Sequence, residues 1–252
     1  MTTREVTSYL PRIDTRDLQK AKGRISRRLA VLAFGAIQWP WLLRSLEGGT
    51  REEKKALLVR LGLPEKALPH LGSWKADTAL LTLLVDHIFA RRPRLVVEFG
   101  MGASTLVLAR ALQLAGQGRL ISFDQHRDFV EAARDWLADY GLSADLRAVP
   151  LRPAGDWPGL WYDHGPLPDG IDLMLVDGPP WAVHPLTRGA AATLFDRISP
   201  GGTVMLDDGA RPGERLVARR WRRLRPDFTF ELLKTGAKGT LVGRRTGQAV
   251  AS

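Results

Sequence analysis

The chain contains no cysteine, which excludes disulfides, thiolate metal sites and cysteine nucleophiles together. It also lacks an apolar run of the ~20 residues that a membrane-spanning helix needs. The run from Leu29 to Leu43 is apolar except for Gln38, but it is shorter than that and contains Pro40, which kinks or ends a helix. The opening residues, MTTREVTSYLPRIDTRD, place no apolar stretch behind a basic leader; no secretory signal is read there, and a cytoplasmic location is expected. Acidic residues are in deficit, 27 against 37 Lys and Arg, leaving a net charge of +10. That balance attracts anionic partners such as nucleic acid, membrane surfaces or acidic substrates, although arginines spread along the whole chain also make an ordinary solvated surface. With 44% hydrophobic and 25% charged residues, the composition excludes a disordered or fibrous chain. Its length suits one α/β domain carrying an extension.

Residues 1–72 read as a helical, basic extension. Within it, 29–43 has two readings. Arg24, Arg27 and Arg28 on one side and Arg44 on the other, with Trp39 and Trp41 between, suit a helix lying in a membrane interface, which would place the protein peripherally at the inner membrane face. The commoner fate of an apolar stripe is packing on the main domain or on a second subunit, and a homo-oligomer is open on that ground.

From Ser73 the pattern becomes regular. Ala76, Ala79, Leu80, Leu83, Leu84 and Ile88 recur at helical spacing, and Leu95, Val96 and Val97 then form a strand-like run ending in Glu98-Phe99-Gly100. Further strands are expected at 120–123, 146–149, 173–176 and 203–206, with helices at 104–114, 128–140 and 187–198 between them. Such alternation, with strands apolar on both faces, implies a doubly wound parallel sheet. After a basic helix from about Pro212 to Leu224, the runs 228–233 and 240–244 flank Thr235-Gly236-Ala237-Lys238-Gly239 and read as a closing hairpin, which adds one antiparallel strand. The domain is expected to span 73–245, with 246–252 as a tail.

Ligands of open α/β sheets sit at the carboxyl ends of the strands, and here four of five such ends carry acid: Glu98, Asp124, Asp177 and Asp207-Asp208. The first end is the most informative. In Glu98-Phe99-Gly100-Met101-Gly102-Ala103-Ser104-Thr105, glycines allow a sharp turn and close approach of a ligand to the main chain, and the helix that follows offers its N-terminus to an anion. Thr105 stands where a dinucleotide fingerprint has its third glycine. S-adenosylmethionine (SAM) carries an amino-acid carboxylate and no pyrophosphate, so it fits this loop better than a nicotinamide cofactor, with Glu98 below its ammonium group. Asp124 ends the second strand, where a carboxylate accepts both hydroxyls of a ribose; the alternative is a helix cap.

The strings VVEFGMGASTLVLA, LISFDQHRDFVEAAR, DLMLVDGPP and ISPGGTVMLDDG together resemble the class I SAM-dependent methyltransferases, and among them bacterial O-methyltransferase-like proteins, over about Ser73 to Arg245. The resemblance implies a Rossmann-like, mostly parallel seven-stranded sheet. It implies that Glu98, Phe99, Gly100, Gly102, Ser104 and Thr105 shape the methionine pocket, that Asp124 holds the ribose and that Gln125 lies beside the adenine. Pro150-Leu151 departs from the polar adenine contact usual after the third strand.

Asp177 ends the fourth strand, facing the expected place of the transferable methyl, and is a candidate base; its alternative role is to cap the Gly178-Pro179-Pro180 turn. Asp207 and Asp208 could converge with it on a hard cation such as magnesium, as in the metal-dependent small-molecule O-methyltransferases this region resembles, although Pro179-Pro180 replaces polar groups found there. His184 follows the Asp177 turn and is the second base candidate, ahead of His126 and His164. Residues 150–170, rich in proline and glycine, read as a long structureless loop and a candidate acceptor lid. Arginines from Arg211 to Arg225 could hold an anionic acceptor or phosphates, or form a solvated helix face.

The expected activity is SAM-dependent O-methylation of a small-molecule or glycan acceptor. The alternatives are a nucleic-acid methyltransferase, which Gly178-Pro179-Pro180-Trp181 suggests although Gly178 separates Asp177 from the prolines, and a non-catalytic, membrane-associated SAM-binding protein.

Overall fold

A computed structural model of the chain describes residues 46–72 and 75–247, together with residues 32, 33, 35–37, 39–41, 43 and 44. Arg24, Arg27 and Arg28 lie outside the described residues.

Helix α1 (Arg51–Arg60) starts at a reciprocal cap, in which the Thr50 hydroxyl accepts the Glu53 amide at 3.1 Å and the Glu53 carboxylate accepts the Thr50 amide at 2.8 Å. Helix α2 (Thr78–Arg91) starts where Asp77 accepts the Leu80 amide at 2.9 Å. The α/β alternation follows: β1 (Leu95–Phe99), α3 (Ala103–Ala115), β2 (Arg119–Asp124), α4 (Arg127–Ala138) and β3 (Asp145–Ala148). Beyond it come β4 (Leu151–Ala154), β5 (Trp157–Tyr162), β6 (Ile171–Val176), 3₁₀ turns over Thr187–Arg197, β7 (Ile198–Leu206), α5 (Pro212–Leu224), β8 (Phe228–Leu233) and β9 (Thr240–Arg245).

Seven strands form one sheet in the order β3-β2-β1-β6-β7-β9-β8, parallel except for β9, which runs antiparallel to both neighbours. This is the Rossmann-like sheet with one antiparallel strand that the sequence leads one to expect. Alternate side chains explain why its strands read as continuous apolar runs. Val96, Leu120, Leu173 and Leu175 join the layer under α1–α4, while Val97, Ile121, Met174 and Val176 join the layer under β4–β5, the 3₁₀ turns and α5. Leu57, Leu58, Leu61 and Leu68 belong to the same buried cluster as Leu80 and Leu106, so the chain from α1 onward packs with the sheet.

Two expectations are corrected. Residues 150–170 are not structureless, because β4 and β5 pair as an antiparallel hairpin with Ala154 opposite Trp157, and Gly155 takes a φ of 52° in the turn. Its prolines read as loop, but Pro153 and Pro158 lie in a two-stranded ribbon that needs few of its backbone donors. Trp161 and Tyr162 are buried in the core beneath Phe99, so the segment's first role is packing. The expected helix at 187–198 is a run of 3₁₀ turns, with Gly189 pressed against the Trp157 ring where any side chain would collide.

The chain leaves β1 toward β2 and β3, whereas β6 and β7 lie on its other side. The crevice of a doubly wound sheet opens at this reversal, and the candidate residues gather there.

Candidate active site

The tips of β1, β2 and β6 are laced together by main-chain hydrogen bonds. The Gly100 amide donates to the Phe123 carbonyl at 2.9 Å, and the Asp177 and Gly178 amides both donate to the Phe99 carbonyl, at 2.8 and 2.7 Å. Gly100 has a φ of 94°, a conformation that glycine adopts freely. At Gly102 nothing lies within 4 Å of where a Cβ would stand. The main chain entering α3 is therefore open to close approach, as the anion at a helix N-terminus requires.

Glu98 sits beneath this loop. Its Oε2 accepts the Thr105 hydroxyl at 2.7 Å and the Ser122 hydroxyl at 2.5 Å, and Thr105 in turn accepts the Gly102 amide at 2.9 Å. Burial raises Glu98 to about 7, against the pull of the neighbouring Ser104, Ser122 and Thr105 hydroxyls and with a further push from Asp124. Asp124 uses Oδ1 to accept the His126 amide at 2.8 Å, and the His126 Nδ1 lies 3.1 Å from the same oxygen. His126, not Asp124, is the N-cap of α4.

Two buried polar atoms around these tips, Gln125 Oε1 and Tyr162 Oη, have no hydrogen-bond partner among the described residues. Buried polar atoms are nearly always paired, so such orphans mark where a ligand could supply the missing partners. The arrangement could hold an amino-acid-bearing nucleoside along the crevice from Glu98 to Asp124. Phe99 has its ring in the core below, stacked on Phe123 with centroids 5.2 Å apart, and offers the crevice only its backbone.

Asp177, Asp207 and Asp208 converge as expected, with ligand oxygens within 4.8 Å of one another. The Asp177 side chain is 15% exposed and those of Asp207 and Asp208 are 1% and 3%, so Asp177 is the acid that meets the crevice. Three cations share the cluster. Arg188 lies 3.0 Å from Asp208, 3.4 Å from Asp177 and 3.9 Å from Glu214, Arg211 lies 2.8 Å from Asp208, and Lys238 lies 3.8–3.9 Å from Asp208 and Asp207. Arg188 also donates to the main-chain carbonyls of Asp177, Pro179 and Asp207, and so ties together the loops after β6 and β7.

The four carboxylates outnumber these three cations, and the excess is unevenly placed. Burial acts to raise Asp208, but Arg211, Lys238 and Arg188 outweigh it and hold the group at about 2. Burial followed by Asp208 raises Asp207 to about 6, and burial followed by Asp207 holds Asp177 well above the ordinary carboxylate range. Burial also raises Glu214 to about 7. Both oxygens of Asp207 lack a hydrogen-bond partner among the described residues. The Asp177–Asp207 side of the cluster, which is short of positive charge, could hold a hard cation, whereas Asp208 is already engaged by guanidinium groups. Asp208 holds a φ of 58°, uncommon for a residue with a side chain.

The His184 Nδ1 accepts the Leu186 amide at 3.1 Å, which in the neutral ring puts the proton on Nε2. His164 Nδ1 donates to the Gly165 carbonyl, 2.6 Å away; a carbonyl can only accept, so Nδ1 carries the proton. Sequence reasoning overlooked Arg188, Lys238 and Glu214. A signal for Arg188 was present, since it and His184 are the only residues between Asp177 and Asp196 that can carry charge. Lys238 sits in the turn between β8 and β9, and only the fold brings it to Asp207 and Asp208.

Residues 97–209 match the family model of a methyltransferase domain. Among solved structures, the chain is similar to the O-methyltransferase TomG from Streptomyces achromogenes, involved in tomaymycin synthesis and crystallised with SAM, at 21% identity and a TM-score of 0.51 over 90% of this chain and 100% of that one. It is also similar to an O-methyltransferase from Bacillus cereus in complex with S-adenosylhomocysteine (SAH), at 16% identity and a TM-score of 0.54 over 86% and 100%. A third is an SAH-bound methyltransferase from Podospora anserina, at 14% identity and a TM-score of 0.53 over 90% and 97%. No curated protein matches the sequence. At these identities the likeness carries the fold, and residues 97–209 carry the match to a methyltransferase domain.

Proposed function

We propose that the enzyme transfers the methyl group of SAM to a hydroxyl oxygen of a small molecule or a sugar unit. The observation that carries this reading is the position of Asp177, the one acid of its cluster that meets the crevice, at the strand tip next to the glycine-lined turn. The O-methyltransferases of the same fold from Streptomyces achromogenes and Bacillus cereus support it.

In this reading the open main chain at Gly100 and Gly102 and the first turn of α3, with Ser104 and Thr105, receive the methionine carboxylate. Glu98 lies below the ammonium group, Asp124 accepts the ribose hydroxyls and Gln125 meets the adenine. The acceptor oxygen attacks the methyl carbon in line with the breaking carbon–sulfur bond, SAH leaves, and the hydroxyl proton passes to Asp177. Burial and Asp207 hold the Asp177 carboxyl well above the ordinary carboxylate range, which strengthens the hold of the ionised group on the proton it takes from the acceptor. Asp177 and Asp207 would hold a magnesium ion, whose chemistry there is to lower the pKa of a bound acceptor hydroxyl.

The test is to incubate the protein with SAM and a panel of hydroxylated acceptors, follow SAH release and locate the new methyl group by mass spectrometry. Asp177→Asn should lower kcat by about two to four orders of magnitude while SAM affinity holds within a few-fold. Asp124→Ala should weaken SAM binding by about tenfold or more. Undiminished SAM binding by Asp124→Ala, or methylation of nitrogen only, overturns the assignment.

A further inference from the structure

The described residues between 32 and 44 are helical, and one side of this segment approaches the candidate site. A Cβ on Gly35 would lie 3.6 Å from the Trp181 ring, and Trp181 follows the Asp177-Gly178-Pro179-Pro180 turn. A second side of the segment is apolar and, among the described residues, exposed. Leu32, Ala36, Trp39 and Leu43 fall on one stripe at i, i+4, i+7 and i+11, and all are exposed. Leu32, Trp39 and Leu43 are 70%, 61% and 50% exposed, and Ile37 and Leu46 flank them at 55% and 57%. A packed helix turns its apolar stripe inward; this one turns it out, so packing on the main domain does not explain the stripe.

We infer that this face docks the enzyme on the surface of an anionic lipid bilayer, lying in the interface without crossing it. Among the described residues no helix is long and apolar enough to cross a membrane. Charge selects the partner. The chain carries +10, Arg44 is exposed beside the stripe, and Arg24, Arg27 and Arg28 precede it in sequence. A second copy would bring the same charge to the contact, whereas anionic headgroups bring the opposite one. Trp39, in the middle of the stripe, is the residue type that settles at headgroup depth. Docking here would bring the bilayer to the side of the crevice where Trp181 lies, independently of which acceptor the enzyme takes.

The test is co-sedimentation of the full chain with phosphatidylcholine vesicles prepared with and without phosphatidylglycerol. The expected result is binding to the anionic vesicles only, weakened by added salt and lowered at least about tenfold in the Trp39→Ala/Leu43→Ala double variant. Both residues are exposed, so the variant should keep the wild-type melting temperature and SAM affinity, which separates lost docking from lost folding. Three results would overturn the inference: failure of the wild type to pellet with anionic vesicles, equal binding by the double variant, or a vesicle-free dimer in light scattering that the double variant dissociates. The last would assign the face to a second copy.

Discussion

Gly100 and Gly178 meet main chain to main chain: a Cβ on Gly100 would stand 2.5 Å from the Gly178 nitrogen, and one on Gly178 would stand 2.8 Å from the Gly100 Cα and run into the Tyr162 hydroxyl. The glycine-lined turn after β1 and the turn carrying Asp177 are thus held at one fixed separation, and neither tolerates a side chain. Gly178→Ala is expected to lower stability by on the order of 2 kcal/mol and to weaken SAM binding, because the two strand tips must part. Gly102→Ala is its control. Its Cβ has open space, so it should leave the melting temperature nearly unchanged and weaken SAM binding alone. Equal melting and equal SAM affinity in Gly178→Ala would show that the close approach is not needed.

The sequence made the sheet legible because strands buried on both faces appear as short apolar runs, and four of the five runs stop at an acid. Glu98 through Thr105 and Asp124 could be placed because their spacing belongs to one strand-turn-helix unit and the next strand. The hairpin at 151–162 escaped, since proline and glycine mark turns locally and the burial of Trp161 and Tyr162 depends on contact with Phe99, far away in sequence. The cation side of the acid cluster escaped for the same reason. Arg188 and Lys238 reach the acids from separate elements and nothing local to Asp207-Asp208 announces them, whereas Arg211 stands only three residues after Asp208.

A pH dependence follows from Glu98. Its value is about 7 when folded against an ordinary 4.5, so between these values the folded protein binds more protons than the unfolded chain. Stability should therefore fall as pH rises from 4.5 to 7, by up to about 3 kcal/mol from this group, and level off above. Glu98→Gln keeps an acceptor for Ser122 and Thr105 and removes the titration. Melting curves of the two proteins across this range should diverge, with Glu98→Gln gaining on the wild type as pH rises. Parallel curves would mean that Glu98 stays ionised throughout.

Magnesium response should depend on Asp207 more than on Asp208, because the two Asp207 oxygens have no hydrogen-bond partner among the described residues, whereas Asp208 pairs with Arg188 and Arg211. Calorimetric titration of metal-free protein with magnesium should show binding that Asp207→Asn abolishes. Asp208→Asn should instead lower the melting temperature, since it strips a buried partner from two guanidinium groups. No heat of binding, together with methyl transfer that is indifferent to a chelator, would leave the cluster as a structural ion-pair network.

Tyr162 separates a structural role from a functional one. Its hydroxyl is buried against Gly178, has no hydrogen-bond partner among the described residues, and is held well above the ordinary tyrosine range by burial and by the nearby Asp124 carboxylate. A buried hydroxyl without a partner costs stability, so Tyr162→Phe should leave the ligand-free protein as stable or slightly more stable, by up to about 1 kcal/mol. A hydroxyl kept at that cost is expected to meet the bound cofactor. The same substitution should then lower kcat and change the ratio of SAM to SAH affinity, because a hydroxyl dipole beside the sulfur senses the sulfonium charge that only SAM carries. Loss of stability with unchanged kinetics would instead make Tyr162 a packing residue of the hairpin, and its unpaired hydroxyl would no longer count as a sign of a ligand.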